Sequence, residues 1–432
     1  MRPPQLVLFD DDAAPRVPHA NAASFIDELR RFTWKDKQTL ELEATVMAAG
    51  QSIAVPVLIN EFWTSRQRAA HSLQEVSYRA CFKPQLPRFF IERLTEPGQT
   101  VYDPFSGRGT TALEAALLGR IPVACDINPL SRILLEARLS PPPLSQIVSR
   151  LNEIPWSDSG DIWEDLLVFY HPETLRHISA LRRYLVGRDR AGNLDRVDRW
   201  LRMVAVNRLT GHSPGFFSVY TLPPNQAVSL QAQVKINAQR EQVPAKRDVA
   251  RLILAKSRSL LADVTEQSQH HLDRVAAAGH LLTAHAASTP DIPSESVDLV
   301  VTSPPFLDVV DYAGDNWLRC WFCGIDPKSV GITIAKQPTA WQDAMRGVFV
   351  ELSRVLRPGG FVAFEVGEVR GGRLKLEELV LPAAMGAGFE PCLVLVNAQK
   401  FTKTANCWGV TNNQKGTNSN RIVLLRKPAS WR

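Results

Sequence analysis

The hydrophobic pattern changes character twice along the 432 residues. Between about residues 71 and 139, short apolar runs alternate with helical repeats. Leu86–Leu94 reads as a helix with Pro87 in its first turn, where a missing N–H is tolerated. Val101 and Tyr102 begin a short strand, a glycine-rich turn follows, Thr111–Leu118 reads as a helix ended by Gly119, and Ile121–Cys125 as the next strand. Strand, turn, helix and strand in that order open a nucleotide-binding α/β unit. Residues 140–280 break the alternation. There Leu175, Ile178, Leu181 and Leu185 share one helical face with Arg176, Arg182 and Arg183 off it, and Arg196–Leu209 and Lys235–Ala262 are also helical. At Ser296 the rhythm resumes: Val297–Val301 is the β-branched apolar run of a buried parallel strand. A helix at Trp341–Val355, a strand at Phe361–Val366, a helix at Glu377–Met385 and strands near Cys392–Asn397 and Arg421–Arg426 follow.

A sheet begun before residue 140 is thus completed after 290, which predicts an α/β Rossmann-like fold with helices on both faces and a large, mostly helical insertion. The segments are 71–140 with 286–432 for the sheet domain, 141–285 for the insertion, and 1–70 for an N-terminal extension. That extension carries one amphipathic helix at Ala23–Thr33 and an apolar stretch, Val46–Asn60, whose type the pattern does not settle.

Composition excludes several classes. At 45% hydrophobic and 22% charged the chain is ordinary for a globular protein. No apolar run reaches the ~18 residues of a membrane span, and the acid-interrupted start, Leu6-Val-Leu-Phe-Asp10, does not read as a signal peptide, so a cytoplasmic location is expected. The six cysteines are too sparse for a disulfide framework. Cys320 and Cys323 form one CxxC without a second ligand pair, so no metal is expected and the two read as buried thiols on an aromatic helix. The net charge of +6 is unevenly spread: residues 170–258 hold sixteen Arg/Lys against six Asp/Glu. Basicity concentrated in the insertion suits a phosphate-backbone partner.

Two motifs carry chemistry. The first is Asp103-Pro-Phe105-Ser-Gly107-Arg-Gly109-Thr110-Thr111-Ala112, between a strand and a helix. Its glycines allow a tight turn and close backbone approach at a helix N-terminus. Asp126, at the end of the next strand, stands where a carboxylate can accept from two ribose hydroxyls. Gly107-x-Gly109-x-x-Ala112 also fits a dinucleotide, but Asp103 beside the turn would repel a pyrophosphate and would favour a cationic sulfonium ligand, S-adenosylmethionine. The second motif is Thr302-Ser303-Pro304-Pro305-Phe306, just past a buried strand. Two prolines fix the backbone and leave only acceptors. Acceptors at Ser303 and Pro304 suit an exocyclic amino group that becomes positive as it takes a methyl, and Phe306 offers a face for a base drawn out of the duplex.

Together these motifs resemble the amino-methyltransferases of DNA, which modify cytosine N4 or adenine N6, over about residues 71–139 and 290–428. The resemblance implies a class I methyltransferase sheet, with Asp103, Phe105, Gly107, Gly109, Thr110, Thr111 and Asp126 binding S-adenosylmethionine, released as S-adenosylhomocysteine. Ser303, Pro304, Pro305 and Phe306 fall on the catalytic loop, whose leading serine is similar to the cytosine-N4 branch. Tyr78–Pro87 is similar to the segment over the cofactor's methionine end, with Cys81 where many relatives carry Lys. Where the family often has Gly-Asp before the catalytic strand, this chain has Ala284-His285-Ala286-Ala287. The insertion sits where relatives keep target recognition, so Arg176, Arg182, Arg183, Phe217 and Tyr220 are candidate DNA contacts. Double-stranded DNA is the expected partner, with a cognate restriction endonuclease or defence component beside it. Alternatives are adenine-N6 methylation, an RNA substrate stacked on exposed Phe216, Phe217 and Tyr220, and a non-catalytic DNA-binding accessory protein.

Overall fold

The computed structural model describes residues 19, 21–48, 51–64, 70–79, 81–221, 227–305, 312–327, 330–331, 337–369, 374–398 and 419–429. Nine strands form one sheet: β1 (Leu40–Ala48), β2 (Gln51–Asn60), β3 (Thr100–Asp103), β4 (Ile121–Asp126), β5 (His280–Thr283), β6 (Val297–Thr302), β7 (Leu356–Val366), β8 (Glu390–Ala398) and β9 (Ser419–Arg426). Across the sheet the order is β1-β2-β8-β9-β7-β6-β3-β4-β5. β9 is antiparallel to both neighbours and β1 to β2, and the other pairings are parallel. From β3 the chain builds outward through β4 and β5, and then from β6 toward the other side. The switch point lies between β3 and β6, where doubly wound sheets hold ligands at their carboxyl ends.

The expected Rossmann-like sheet with helices on both faces is therefore observed. Helices α12 (Pro338–Val355) and α13 (Glu377–Gly386) cover one face, around the buried Val300, Phe364 and Val394. Helices α1 (Ala22–Arg31), α2 (Gln85–Leu94) and α3 (Thr110–Leu117) lie on the other, around Leu299, Val301 and Leu393. Because both faces are covered, β6 has no polar alternation to show, and Val297, Leu299, Val300 and Val301 are all buried.

Within the segment expected as an N-terminal extension, β1 and β2 pair antiparallel and β2 runs beside β8 from Val57 to Asn60, so these two strands are part of the sheet. Phe25 and Leu29 of α1 pack with Leu58, Phe89 and Leu393 in the same core. Pro56 interrupts the apolar run of β2, and the Leu-Glu-Leu-Glu start of β1 is an edge strand, so the pairing was not visible in the periodicity.

Helix α4 (Pro129–Leu139) leads into the insertion, which contains α5 (Leu144–Glu153), α6 (Pro172–Arg190), α7 (Arg196–Val206), α8 (Leu230–Gln239), α9 (Val249–Leu260) and α10 (Glu266–Ala277). Leu175, Ile178, Leu181 and Leu185 of α6 are buried as their spacing predicts. The single helical stretch expected over Lys235–Ala262 is two helices, broken at residues 240–248, where Glu241 takes a φ of +47° and Pro244 follows. Helix α11 (Tyr312–Cys323), just beyond the second motif, docks into this insertion with Leu318, Cys320, Phe322 and Cys323 buried. Burial pushes the Cys320 thiol up to about 11 and Cys323 to about 12, so both stay protonated packing groups.

Leu58, fully buried between the hairpin and the sheet, tests this integration. Leu58→Ala should lower the stability of the sheet domain by about 2–5 kcal/mol in denaturant titrations. An unchanged main transition would mean that the hairpin is an independent appendage.

Candidate active site

The first motif lies at the carboxyl end of β3. Gly107 and Gly109 have φ of +52° and +80°, in the left-handed region. A Cβ on Gly109 would stand 2.6 Å from Leu135 Cδ1, so only glycine lets the turn close against α4. The turn is held by Ser106 N–H donating to the Cys125 carbonyl (3.0 Å) and Gly109 N–H to the Ser106 carbonyl (2.6 Å). Arg108 points inward and donates to Thr110 Oγ1 and the carbonyls of Val76 and Phe82.

Two carboxylates frame this turn. Asp126, partly accessible at the end of β4, accepts from Gly107 N–H (2.8 Å) and Asn128 N–H (2.9 Å). Asp103 is buried and accepts from Thr302 Oγ1 (2.6 Å) and Phe105 N–H (3.1 Å). Desolvation holds the Asp103 carboxyl up at about 7 against the hydrogen bonds from Thr302, Phe105 and Thr111, and burial raises Asp126 as well. Neither has a cationic partner within ion-pair distance among the described residues. Two such acids fit a ligand that brings its own positive charge and its own hydroxyl donors. Tyr78 and Cys81 pack over the turn, with Cys81 Sγ 3.3 Å and Tyr78 Cδ1 3.8 Å from where a Gly107 Cβ would be.

The second motif meets the first directly. β6 lies beside β3, Thr302 bonds Asp103, and Thr111 Oγ1 donates to the Val301 carbonyl (3.0 Å). Gly107 and Ser303 thus belong to one sheet edge although 196 positions apart in the chain. Pro304 is buried, and Ser303 and Pro305 are partly open. Trp341 Nε1 of α12 donates to the Pro305 carbonyl (2.8 Å), which holds the loop from beneath. Phe306 lies outside the described residues.

Several expected contacts are revised. Thr110 and Thr111 have buried hydroxyls engaged with Arg108 and Val301, which leaves only their helix-start amides for a ligand. Phe217 is 1% exposed in the insertion core and cannot stack on a base, and Phe216 is also buried. Arg182 donates to the Trp321 carbonyl (2.8 Å) and covers that indole. Tyr220 is half-buried under the Arg240 guanidinium, 3.7 Å from its ring centre. Arg176 and Arg183 are exposed, with Arg183 paired to Asp158 at 3.4 Å. Helical periodicity located the faces correctly, but the aromatic turn Gly215–Tyr220 lacks a period and gave no sign that it folds inward.

One residue was missed. Glu365 of β7, beside β6, is buried and accepts from Asn420 Nδ2, and the Ser303 hydroxyl beside it acts to lower its pKa. Desolvation keeps its carboxyl up at about 7. An acid within the apolar strand Phe361–Val366 was the available signal, since such a residue has no packing reason to be there.

Comparisons with known proteins agree with this geometry. Residues 26–132 match the N6/N4 methyltransferase family model, described as DNA methylase. Over those residues the chain is similar to the DNA amino-methyltransferases. It is 23% identical to the type II methyltransferase M.BsoBI of Geobacillus stearothermophilus over 59% of this chain and 53% of that one. It is 28% identical to the type II methyltransferase M.MvaI of Kocuria varians over 29% of this chain and 25% of that one. The chain thus spans about half or less of the curated relatives it matches. Among solved structures, a putative DNA modification methylase from Thermus thermophilus, complexed with S-adenosyl-L-methionine, is 23% identical over 34% of this chain and 53% of that one, with a TM-score of 0.21. The family match ends before Ser303. Among the described residues no three His, Cys, Asp or Glu are grouped to hold a metal, and no helix is long and apolar enough to cross a membrane.

The Glu365 carboxyl makes a testable contribution to stability. Its folded-state value is raised, so the stability it lends is complete below its ordinary range near 4.5 and is lost as pH rises through about 7. Glu365→Gln should therefore melt increasingly above the wild type as pH goes from 4.5 to about 7, the interval set by that shift, and the difference should level off beyond it. A pH-independent difference in melting temperature would contradict the assignment.

Proposed function

We propose that this chain transfers a methyl group from S-adenosylmethionine to the exocyclic amine of a DNA base, cytosine N4. The observation that supports this best is the Thr302–Asp103 hydrogen bond, which brings the Ser303 loop and the Gly107 turn to one sheet edge, with Glu365 beside Ser303. With its proton committed to Glu365, the Ser303 hydroxyl presents lone pairs to solvent and can accept from an NH₂ group. The Pro304 carbonyl is a second acceptor on a backbone that has no N–H at that residue or the next. Two acceptors pull the amine toward tetrahedral geometry and stabilise the positive charge it gains as nitrogen bonds carbon and the carbon–sulfur bond breaks. Bound at the Gly107–Gly109 turn, S-adenosylmethionine supplies the electrophilic methyl. Asp103 would face its cationic end, and Asp126 its ribose.

The leading Ser303 favours cytosine N4, and the burial of Phe216 and Phe217 removes the stacking platform that an RNA substrate would have used. Residues 141–285 would contact duplex DNA, with exposed Arg176 and Arg183 available and Arg182 held by Trp321. A cognate endonuclease remains part of this proposal, in line with the type II names of the relatives.

The decisive assay offers methyl-labelled S-adenosylmethionine with duplex DNA or RNA and digests the product to nucleosides. Label in N4-methylcytosine supports the reading. Label in N6-methyladenine moves it to the other branch, and DNA binding without transfer leaves an accessory protein. Ser303→Ala should lower kcat by about 10²–10³-fold. Glu365→Gln should lower it by roughly 10–100-fold and remove an acid limb near pH 7 in the pH–rate profile, because only the ionised carboxylate strengthens Ser303 as an acceptor.

Cofactor affinity supplies a separate prediction. A cationic ligand needs Asp103 ionised, so binding measured by calorimetry should weaken by about tenfold for each pH unit below 7. Asp103→Asn should bind weakly at every pH, and a flat wild-type profile would remove Asp103 from the cofactor contact.

A further inference from the structure

The edge of the sheet farthest from β5 is an open one. β1 pairs with β2 over nine consecutive residues without a bulge, and its outer side has no strand partner among the described residues. Unpaired N–H and C=O groups on such an edge template further pairing. Sheets usually guard against this with a short strand, a bulge, or a lysine or proline on the edge. Leu40–Ala48 has none of these. It also presents apolar side chains: Leu40, Leu42 and Met47 are 55%, 50% and 62% exposed, three of the nine large apolar residues left open among the described residues.

Contacts fix which residues of β1 share a face. Val46 is buried and Ala44 partly buried in the core beneath α12 and α13, so by alternation Leu40 and Leu42 belong to that face. Glu41 pairs with Arg30 of α1 at 2.7 Å, so Glu41, Glu43, Thr45 and Met47 belong to the other. The apolar face is therefore covered at Val46 and bare at Leu40 and Leu42.

We propose that β1 pairs antiparallel with β1 of a second copy of this chain, about a two-fold axis at Ala44. Along a strand the backbone groups of successive residues turn alternately toward one neighbour and the other, so a symmetric antiparallel pair has to cross at a residue and not between two. Crossing at Leu42 would set Glu41 against Glu43, and crossing at Glu43 would set that acid against itself. Crossing at Thr45 or beyond would leave Leu40 outside the pairing. Crossing at Ala44 uses all nine residues and opposes no two acids: Leu42 faces Val46 of the second copy, Glu43 faces Thr45, and Glu41 faces Met47. The two Glu43 side chains stand only on a diagonal and are exposed to solvent. Each bare leucine face thus comes beside the half of the other copy that α13 already backs. Four strands separate β1 from β6, so this pairing leaves the Gly107–Ser303 edge uncovered. The inference goes beyond methyl transfer and does not rest on it.

Sedimentation equilibrium of the purified full chain across micromolar concentrations tests the pairing, and the wild type should form a concentration-dependent dimer. Thr45→Glu changes an exposed residue and sets an acid against Glu43 at two symmetric positions. It should raise the dissociation constant by about tenfold. Adding Glu43→Lys to Thr45→Glu opposes unlike charges at the same two positions and should restore the dimer. Leu42→Lys, on the other face, should weaken it as well. Far-ultraviolet circular dichroism on each variant separates these effects from misfolding. A wild type that stays monomeric at every concentration would overturn the proposal. A dimer indifferent to both Thr45→Glu and Leu42→Lys would overturn it too, since another surface would then join the copies. A dimer weakened by Thr45→Glu and not restored by the added Glu43→Lys would overturn the crossing at Ala44.

Discussion

The bond from Thr302 Oγ1 to Asp103 Oδ1 is the contact on which the site depends. It joins the last residues of two adjacent parallel strands, and each strand runs directly into one of the two motifs. Parallel pairing aligns all carboxyl ends on one edge, so two loops far apart in sequence meet without any designed long-range reach. The same bond engages one oxygen of a buried acid that has no counter-charge among the described residues, as a cationic ligand would require. The second link, Thr111 to the Val301 carbonyl, ties the start of α3 to the same strand. The turn that would hold the cofactor and the loop that would hold the amine therefore move as one body.

Around this edge the fold adds supports rather than new chemistry. Trp341 of α12 fixes the Pro305 carbonyl, and Asn420 of β9 fixes the Glu365 carboxyl of β7 beside Ser303. Helix α11 has a different task. It follows the Ser-Pro-Pro motif in the chain, and Arg79 pairs with Asp315 at 2.7 Å while Trp317 Nε1 donates to the Ala227 carbonyl. The segment over the Gly107 turn and the insertion thus both meet this helix. Its CxxC is part of that packing, which is why its thiols are buried and raised rather than reactive.

Much of this could be read from the chain. Val297–Val301 and Ile121–Cys125 are buried on both faces and so have a dense apolar signature, and the glycines at 107 and 109 mark the turn because no other residue adopts those dihedrals cheaply. The hairpin at 40–60 was hidden because an edge strand and a proline-broken partner show their identity only once paired. Phe217 was misjudged because a turn-rich aromatic stretch has the same composition whether it faces base or core. Glu365 was overlooked because its meaning depends on Ser303 being one strand away, and that adjacency is a property of the sheet order.

The most direct test is a crystal structure of the full chain with S-adenosylmethionine bound. The account predicts adenosine against Asp126, the sulfonium beside Asp103, and the methyl pointing across the edge toward Ser303 Oγ and the Pro304 carbonyl, with room between them for one planar amine. Cofactor seated elsewhere, or a methyl directed away from Ser303, would contradict it.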